Sequence, residues 1–188
     1  MFRSILVPSL GLLILTFLTS PLTAQQQPEI DSTWDTLFDS QNWKKDYRKW
    51  ERPRPKIWNF VQGEIVGIAR PGEGEKHPKY KGGIQSYIIS KKPYRRFHVA
   101  VEVYLEKGAF GVGQWNRGKT FFDKGVCSLG EWHELVMTFH EDKIDVYLNG
   151  MKLDFFGRMD PPVKKGVYLF CKEDSKVRFR KVRAKEFR

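Results

Sequence analysis

Most of the chain alternates apolar and polar residues with a period of two, which is the pattern of β-strands that bury one face. The clearest case is RRFHVAVEVYLEK, in which every second residue from Phe97 to Leu105 is apolar. The residues between them, from His98 to Tyr104, then share the opposite face. Because no window has a sustained helical period, the pattern predicts an almost purely β protein.

Two turn signals divide these strands into hairpins. Gln62-Gly63 lies within IWNFVQGEIVGIAR, and Asn149-Gly150 lies within KIDVYLNGMKL. Asn-Gly favours a two-residue type I′ turn because both of its positions need a positive φ. In the last segment, KVRFRKVRAKEF, the apolar phase skips one residue, which predicts a β-bulge near Arg180-Lys181.

About ten short strands joined by Gly- and Pro-containing turns predict a sandwich or a barrel. One face of each strand is strongly apolar, and the other carries aromatic and charged residues together. Two antiparallel sheets with a shared core suit this pattern better than a closed barrel. The predicted fold is an all-β, two-sheet antiparallel β-sandwich with one concave outer surface that can hold a ligand.

The N-terminal residues differ from the rest of the chain. Arg3 precedes an apolar run from Ile5 to Leu18, and Thr23-Ala24 follows before a polar QQQP. An uncleaved anchor is one interpretation, but the run is shorter than the roughly 20 residues that a spanning helix needs. We expect an exported protein, periplasmic or secreted, with no membrane span after cleavage. The predicted segments are a signal peptide over 1–24, a polar linker over 25–33 and one domain over 34–188.

The net charge of +11 at pH 7 narrows the expected partners. An exported basic protein meets little nucleic acid, so anionic glycans or the cell envelope are the more natural partners, and no nucleic acid partner is expected. Cys127 and Cys171 are the only cysteines. Export permits a disulfide between them, and a buried free thiol suits the apolar stretch around Cys171 equally well.

Five phrases occur in a fixed order along the chain. They are WDTLFDS with a following NW, IWNFVQGEIVG, GGIQSYIIS through AFGVGQW, GEWHELVMTFHEDKIDVYLNG, and GVYLFCKEDSKVRFRKVRAKEF. Together they resemble the 3-keto-disaccharide hydrolase domain family, a former domain of unknown function, over roughly Trp34 to Phe187. The resemblance implies a concanavalin A-like jelly roll, with a laminin-G-like jelly roll as the alternative. It also implies a protein that acts on carbohydrate and hydrolyses the glycosidic bond of a 3-keto sugar.

The resemblance also supplies a candidate catalytic residue. Of two carboxylates that the family often carries on the strand from Phe97 to Leu105, Ala100 replaces the first and Glu102 retains the second. Glu102 is therefore expected to act as a general base, or as an acceptor for sugar hydroxyls. The segment that walls in the family's substrate is nearly absent, because only KTFFDKGVCSL separates Gly118 from Gly130.

A sugar site on this face needs flat surfaces and hydrogen-bonding groups. A conventional glycosidase also needs a second carboxyl group, for which Glu134 and Asp145 are the options. Elimination from a 3-keto sugar needs only one base and a cation or metal as oxyanion stabiliser. The predicted substrate-binding residues are His98, Tyr104, Gln114, Trp115, His140 and Tyr147.

No metal site follows from residue spacing, although His98, Glu102 and His140 share the predicted face and leave a divalent metal open as a cofactor. Three functions stay open. They are a 3-keto-glycoside hydrolase or lyase-like enzyme, a non-catalytic carbohydrate-binding module, and a basic envelope protein that holds anionic polysaccharide. In each of them the Asn149-Gly150 hairpin is expected to be architectural.

Overall fold

The structure is a computed structural model that describes residues 26–51, 56–73, 75–76, 84–114, 118–154 and 164–187. The predicted leader, residues 1–24, lies outside them. The described chain consists mainly of strands, with a short helix and a 3₁₀ turn near its start. In chain order the elements are β1 Asp35–Phe38, α1 Trp43–Asp46, a 3₁₀ helix Tyr47–Lys49, β2 Trp50–Glu51, β3 Trp58–Val61, β4 Glu64–Ala69, β5 Glu75–Lys76, β6 Ile84–Tyr94, β7 Phe97–Lys107, β8 Ala109–Gln114, β9 Gly118–Asp123, β10 Trp132–Phe139, β11 Ile144–Leu148, β12 Met151–Leu153, β13 Lys165–Lys172 and β14 Ser175–Glu186.

These strands form two antiparallel sheets. The eight-stranded sheet has the order β12-β11-β10-β7-β14-β4-β3, and β1 also pairs with β14. The six-stranded sheet has the order β2-β6-β13-β8-β9, and β5 also pairs with β6. The predicted all-β, two-sheet antiparallel sandwich of jelly-roll type is confirmed.

The core lies between the two sheets and is built by the period-two pattern. On β7, Val99 and Val103 are fully buried in this core, and so is Leu105. The six-stranded sheet contributes Phe110 and Leu169 from β8 and β13. Burying side chains of this size contributes about 1.5–3 kcal/mol each, so the shared core is the main source of stability.

Both predicted hairpin turns and the predicted bulge are confirmed. Asn149 and Gly150 have φ values of 50° and 82°, and Gln62 and Gly63 have 49° and 82°. Two positive φ values in a two-residue turn define type I′. On β14 the register with β7 shifts between Arg180 and Arg183, and Lys181 has a φ of 50°.

A corner at Gly108 sends the chain from one sheet to the other. β7 belongs to the eight-stranded sheet and β8 to the six-stranded sheet, and Gly108 between them has a φ of 78°. A Cβ atom at Gly108 would collide with the side chain and backbone of Ser175. Only glycine therefore fits this corner without strain.

Cys127 and Cys171 are both buried free thiols. The sequence left a disulfide and a buried free thiol open, and the structure contains free thiols. Burial raises the pKa of Cys171 to about 12. Burial and the nearby charge of Asp123 raise the pKa of Cys127 to about 11. Neither thiol is therefore in its reactive thiolate form near neutral pH.

Candidate functional site

The outer face of the eight-stranded sheet carries the residues that alternate with the core on β7. Val99 and Val101 belong to the core, whereas Glu102 and Tyr104 lie on the opposite, half-buried face, as the alternation predicts. Strands β10 and β14 flank β7, so their outward residues form rows with those of β7. In one such row Glu134 of β10 lies directly opposite Glu102.

Glu102 is bound by two cations from β14. Its Oε2 accepts a hydrogen bond from Arg180 Nε at 2.5 Å, and its Oε1 accepts one from Lys181 Nζ at 2.6 Å. Two consecutive residues can reach the same carboxylate because the bulge interrupts the strict alternation of β14. Burial acts to raise the pKa of Glu102, but the hydrogen bonds and charges of Lys181 and Arg180 outweigh it and hold the pKa below its ordinary value. Glu102 is therefore a weak base in this arrangement.

Tyr104 lies in an aromatic and cationic stack beside Glu102. Its ring centre is 5.4 Å from that of Trp132 on β10. The guanidinium carbon of Arg180 lies 3.8 Å from the Trp132 ring centre, and that of Arg178 lies 5.1 Å from the Tyr104 ring centre. Cation–π contacts of this kind fix the side chains in place, and they cover one face of each ring.

His98 lies at the other end of β7 within a packed aromatic cluster. Its ring stacks on Trp34 at 5.6 Å and on Phe187 at 4.5 Å between ring centres, and its Nδ1 lies 2.8 Å from Oγ1 of Thr138. Burial, helped by the charges of His140 and Lys185, lowers the pKa of His98 to about 4. At neutral pH His98 is therefore an uncharged member of this cluster.

The metal site considered for His98, Glu102 and His140 is not assembled. Nε2 of His140 lies 2.7 Å from Oδ2 of Asp145, and both oxygens of Glu102 are engaged by cations. Within the described ranges, no group of three or more His, Cys, Asp or Glu side chains could hold a metal ion.

Gln114 does not join the predicted face, and this part of the prediction is wrong. Its side chain is fully buried between the sheets, where Nε2 donates a hydrogen bond to the carbonyl oxygen of Tyr94 at 2.5 Å. The reason is the corner at Gly108, which places β8 in the other sheet. Trp115, predicted for the same face, lies outside the described residues.

The N-terminal residues 26–34 lie against the outer face of the eight-stranded sheet. Gln27 Nε2 donates a hydrogen bond to Glu134 Oε2 at 3.2 Å, and the hydroxyl of Tyr147 donates one to the carbonyl oxygen of Gln26 at 3.4 Å. Tyr147 is only 2% exposed as a result of this packing. Ile30 contributes to a small second apolar cluster, whose buried members are Trp34, Ala100, Val136 and Tyr147.

Three depressions follow one another across the strands of this face. One of about 940 Å³ lies over β11 and β12 and is bordered by Glu134, Tyr147 and Lys152. The next, of about 260 Å³, lies over Ala100 and is bordered by Glu134 and Arg183 among others. The third, of about 550 Å³, lies beside β1 and α1 and is also bordered by Arg183. Neighbouring depressions share lining residues, and we call the row of three the outer groove.

The outer groove contains only part of the predicted site. Glu102 lines its middle depression and Tyr147 its first, whereas His98, Tyr104 and His140 lie on the same face without lining any of the three depressions. Sequence reasoning missed several lining residues: Ile30, Lys152, Lys181 and Arg183. The phase skip on β14 was the available signal for Lys181 and Arg183, because it turns both toward the outer face.

The outer face of the six-stranded sheet has a different character. Tyr168 and Phe170 of β13 pair with Gly113 and Gly111 of β8, and the Tyr168 ring lies 4.9 Å from that of Tyr87. Tyr168 and Phe170 are fully buried. These rings are therefore covered and do not form an open surface in this structure.

Solved structures with a similar fold include several glycoside hydrolases. A protein of Parabacteroides distasonis assigned as a glycosyl hydrolase is 15% identical, with a TM-score of 0.61 over 87% of this chain and 100% of that chain. A sialidase is 9% identical, with a TM-score of 0.61 over 82% of this chain and 18% of that chain. A non-specific endo-β-1,3(4)-glucanase is 15% identical, with a TM-score of 0.51 over 86% of this chain and 95% of that chain. At these identities the likeness establishes the jelly-roll fold.

No protein-family model matches the chain, and no curated protein matches it in sequence. Among the described residues, no helix has both the length and the apolar character needed to cross a membrane.

Proposed function

We propose that this protein binds a carbohydrate chain in the outer groove, and that it does so as an exported protein. The observation that carries the proposal is the row of three neighbouring depressions on one sheet face, in which each shares lining residues with the next. A polymer chain can lie along such a row. Its lining combines carboxylates and cations, which can accept from and donate to sugar hydroxyls. The occurrence of this fold in glycoside hydrolases supports the same function.

A glycan array tests this proposal. We expect the protein to retain a subset of glycans and to release no product from them. Glu134→Ala should reduce retention about tenfold or more, because Glu134 borders two of the three depressions and is itself exposed. Asp142→Ala is the matched control, because Asp142 is an exposed carboxylate in the turn between β10 and β11. Equal retention by wild type and both variants would rule out the groove as the binding site.

Hydrolysis of a 3-keto-glycoside is the second candidate function. It is favoured by the pairing of Glu102 with Glu134, which places two carboxylates on neighbouring strands of one sheet face. Most glycosidases use two carboxyl groups that flank the scissile bond. Glu102, with a lowered pKa, would be the ionised member of such a pair.

Turnover of a 3-keto-disaccharide separates the two candidates. If the protein is a hydrolase, it should release reducing sugar, and both Glu102→Gln and Glu134→Gln should lower the rate at least about a hundredfold. Retention of the sugar with no release of product would support the binding function and contradict the hydrolase function.

A further inference from the structure

The outer groove contains a guanidinium without a partner. The Nε atom of Arg183 is enclosed and donates no hydrogen bond to any of the described residues, and Arg183 forms no ion pair with them. The other outward cations of β14 are different. Arg178 pairs with Glu64, Arg180 and Lys181 pair with Glu102, and Lys185 pairs with Asp31.

Arg183 also stands where a ligand can reach it. It lies directly opposite Ala100 on β7 and Thr36 on β1, and it borders both the middle depression and the third one. The depression of about 260 Å³ is lined by Ala100, which packs in the small cluster with Trp34, and by Ile30. This volume equals that of roughly nine water molecules at about 30 Å³ each, which leaves space for one sugar ring.

The opposite border of the same depression carries a carboxylate. Glu134 is exposed, and its hydrogen bond from Gln27 involves a neutral amide rather than a cation. The middle depression therefore presents a guanidinium on one side and a carboxylate on the other. A ligand that matches both has an anionic group at one end and hydroxyl donors at the other.

We propose that the middle depression binds an acidic sugar residue, whose carboxylate pairs with Arg183 and whose hydroxyl groups donate hydrogen bonds to Glu134. This inference rests on the proposed carbohydrate-binding function and specifies its ligand. A planar guanidinium binds a carboxylate through two parallel hydrogen bonds between ionised partners, which are stronger than its hydrogen bonds to the hydroxyl groups of a neutral sugar. The net charge of +11 attracts a polyanionic chain to the protein before this contact forms.

Calorimetric titration of the purified protein with three oligosaccharides of equal length tests the inference. They are an oligoglucuronide, the corresponding neutral oligoglucoside and a sulfated oligoglucoside, each at about 0.15 M salt to screen non-specific attraction. We expect the oligoglucuronide to bind about tenfold or more tightly than the neutral chain, and more tightly than the sulfated one. In Arg183→Gln the preference should vanish, so that the oligoglucuronide and the neutral chain bind with about equal affinity.

Two further variants complete the experiment. Lys124→Gln removes an exposed cation outside the outer groove and should keep the full preference. Arg183→Lys keeps the charge without the planar guanidinium and should keep only part of the preference for the oligoglucuronide. A melting temperature measured for each variant identifies any that fails to fold. If Arg183→Gln does not fold, Arg183→Lys is compared with wild type in its place.

The outcomes separate the inference from the function on which it rests. If no carbohydrate binds, the proposed function fails. If the neutral chain binds as tightly as the oligoglucuronide, carbohydrate binding stands and the acidic-sugar inference is overturned. It is also overturned if the sulfated chain is preferred, or if Arg183→Gln and Lys124→Gln reduce the preference equally, because binding then reflects overall charge.

Discussion

Replacement of Glu102 by glutamine tests whether this carboxylate stabilises the fold through Arg180 and Lys181. Its side chain is 21% exposed, while those of Arg180 and Lys181 are 34% and 50% exposed. Hydrogen bonds to charged groups contribute about 1.5–3 kcal/mol each when buried, but exposed ion pairs contribute about 1 kcal/mol or less. For this partly screened pair of contacts we expect a loss of about 1–2 kcal/mol in the free energy of unfolding. In a domain of this size that lowers the melting temperature by about 2–8 °C.

The same substitution has a pH dependence with a definite sign. The folded-state pKa of Glu102 is lowered, whereas the unfolded value is about 4.3. The stabilisation by Glu102 is therefore fully present above the unfolded pKa and disappears as the pH falls through the folded pKa. Urea unfolding of wild type and Glu102→Gln should differ at pH 7 and converge at acid pH below the folded value.

Glu106→Gln is a matched control for this experiment. Glu106 also forms an ion pair on a neighbouring strand, with Lys176 at 2.7 Å, but it has a single cation and lies outside the outer groove. We expect its effect at pH 7 to be about 0.5 kcal/mol or less. A Glu102→Gln variant that is as stable as wild type at pH 7, or that differs from it equally at acid pH, would refute the reasoning.

Three other predictions concern packing and titration. Gly67→Ala should destabilise the fold by about 1–3 kcal/mol in urea unfolding, because its Cβ would lie 2.8 Å from the buried ring of Trp58; a neutral result would mean that the ring moves aside. Thiol-reactive reagents should leave Cys127 and Cys171 unmodified in the native protein and label both after unfolding without a reductant, whereas a mass lower by two hydrogens would reveal a disulfide. The His98 ring should titrate near pH 4 by NMR. Because its unfolded pKa is about 6.5, its contribution to the free energy of unfolding should be complete above pH 6.5 and decline as the pH falls toward 4. A midpoint near 6.5 in the folded protein would contradict the packed cluster.

The alternation of residues predicted the facing of individual strands well. Val99 and Val101 face the core, Asn149-Gly150 forms a type I′ turn, and the skipped phase on β14 is a bulge. Each of these features follows from local geometry, because the period of two and the chemistry of turn residues act over a few neighbouring positions.

The candidate site was less predictable, because it depends on which strands become neighbours. Nothing in the alternation places β14 beside β7, and so the pairing of Arg180 and Lys181 with Glu102 could not be inferred. Gln114 was assigned to the wrong surface for the same reason. The corner at Gly108 moves β8 into the other sheet, and Gly108 packs there against Ser175, which is distant in the sequence.

The extra residue of β14 also determines how this strand can change. Deleting Lys181 would restore unbroken alternation along the strand and leave every later side chain on its present face. Val182 and Ala184 would stay buried and Arg183 would stay on the outer face, while Glu102 would lose one of its two cations. The strand can therefore lose this one amino acid without turning its core residues toward water, whereas one further inserted residue would turn them outward.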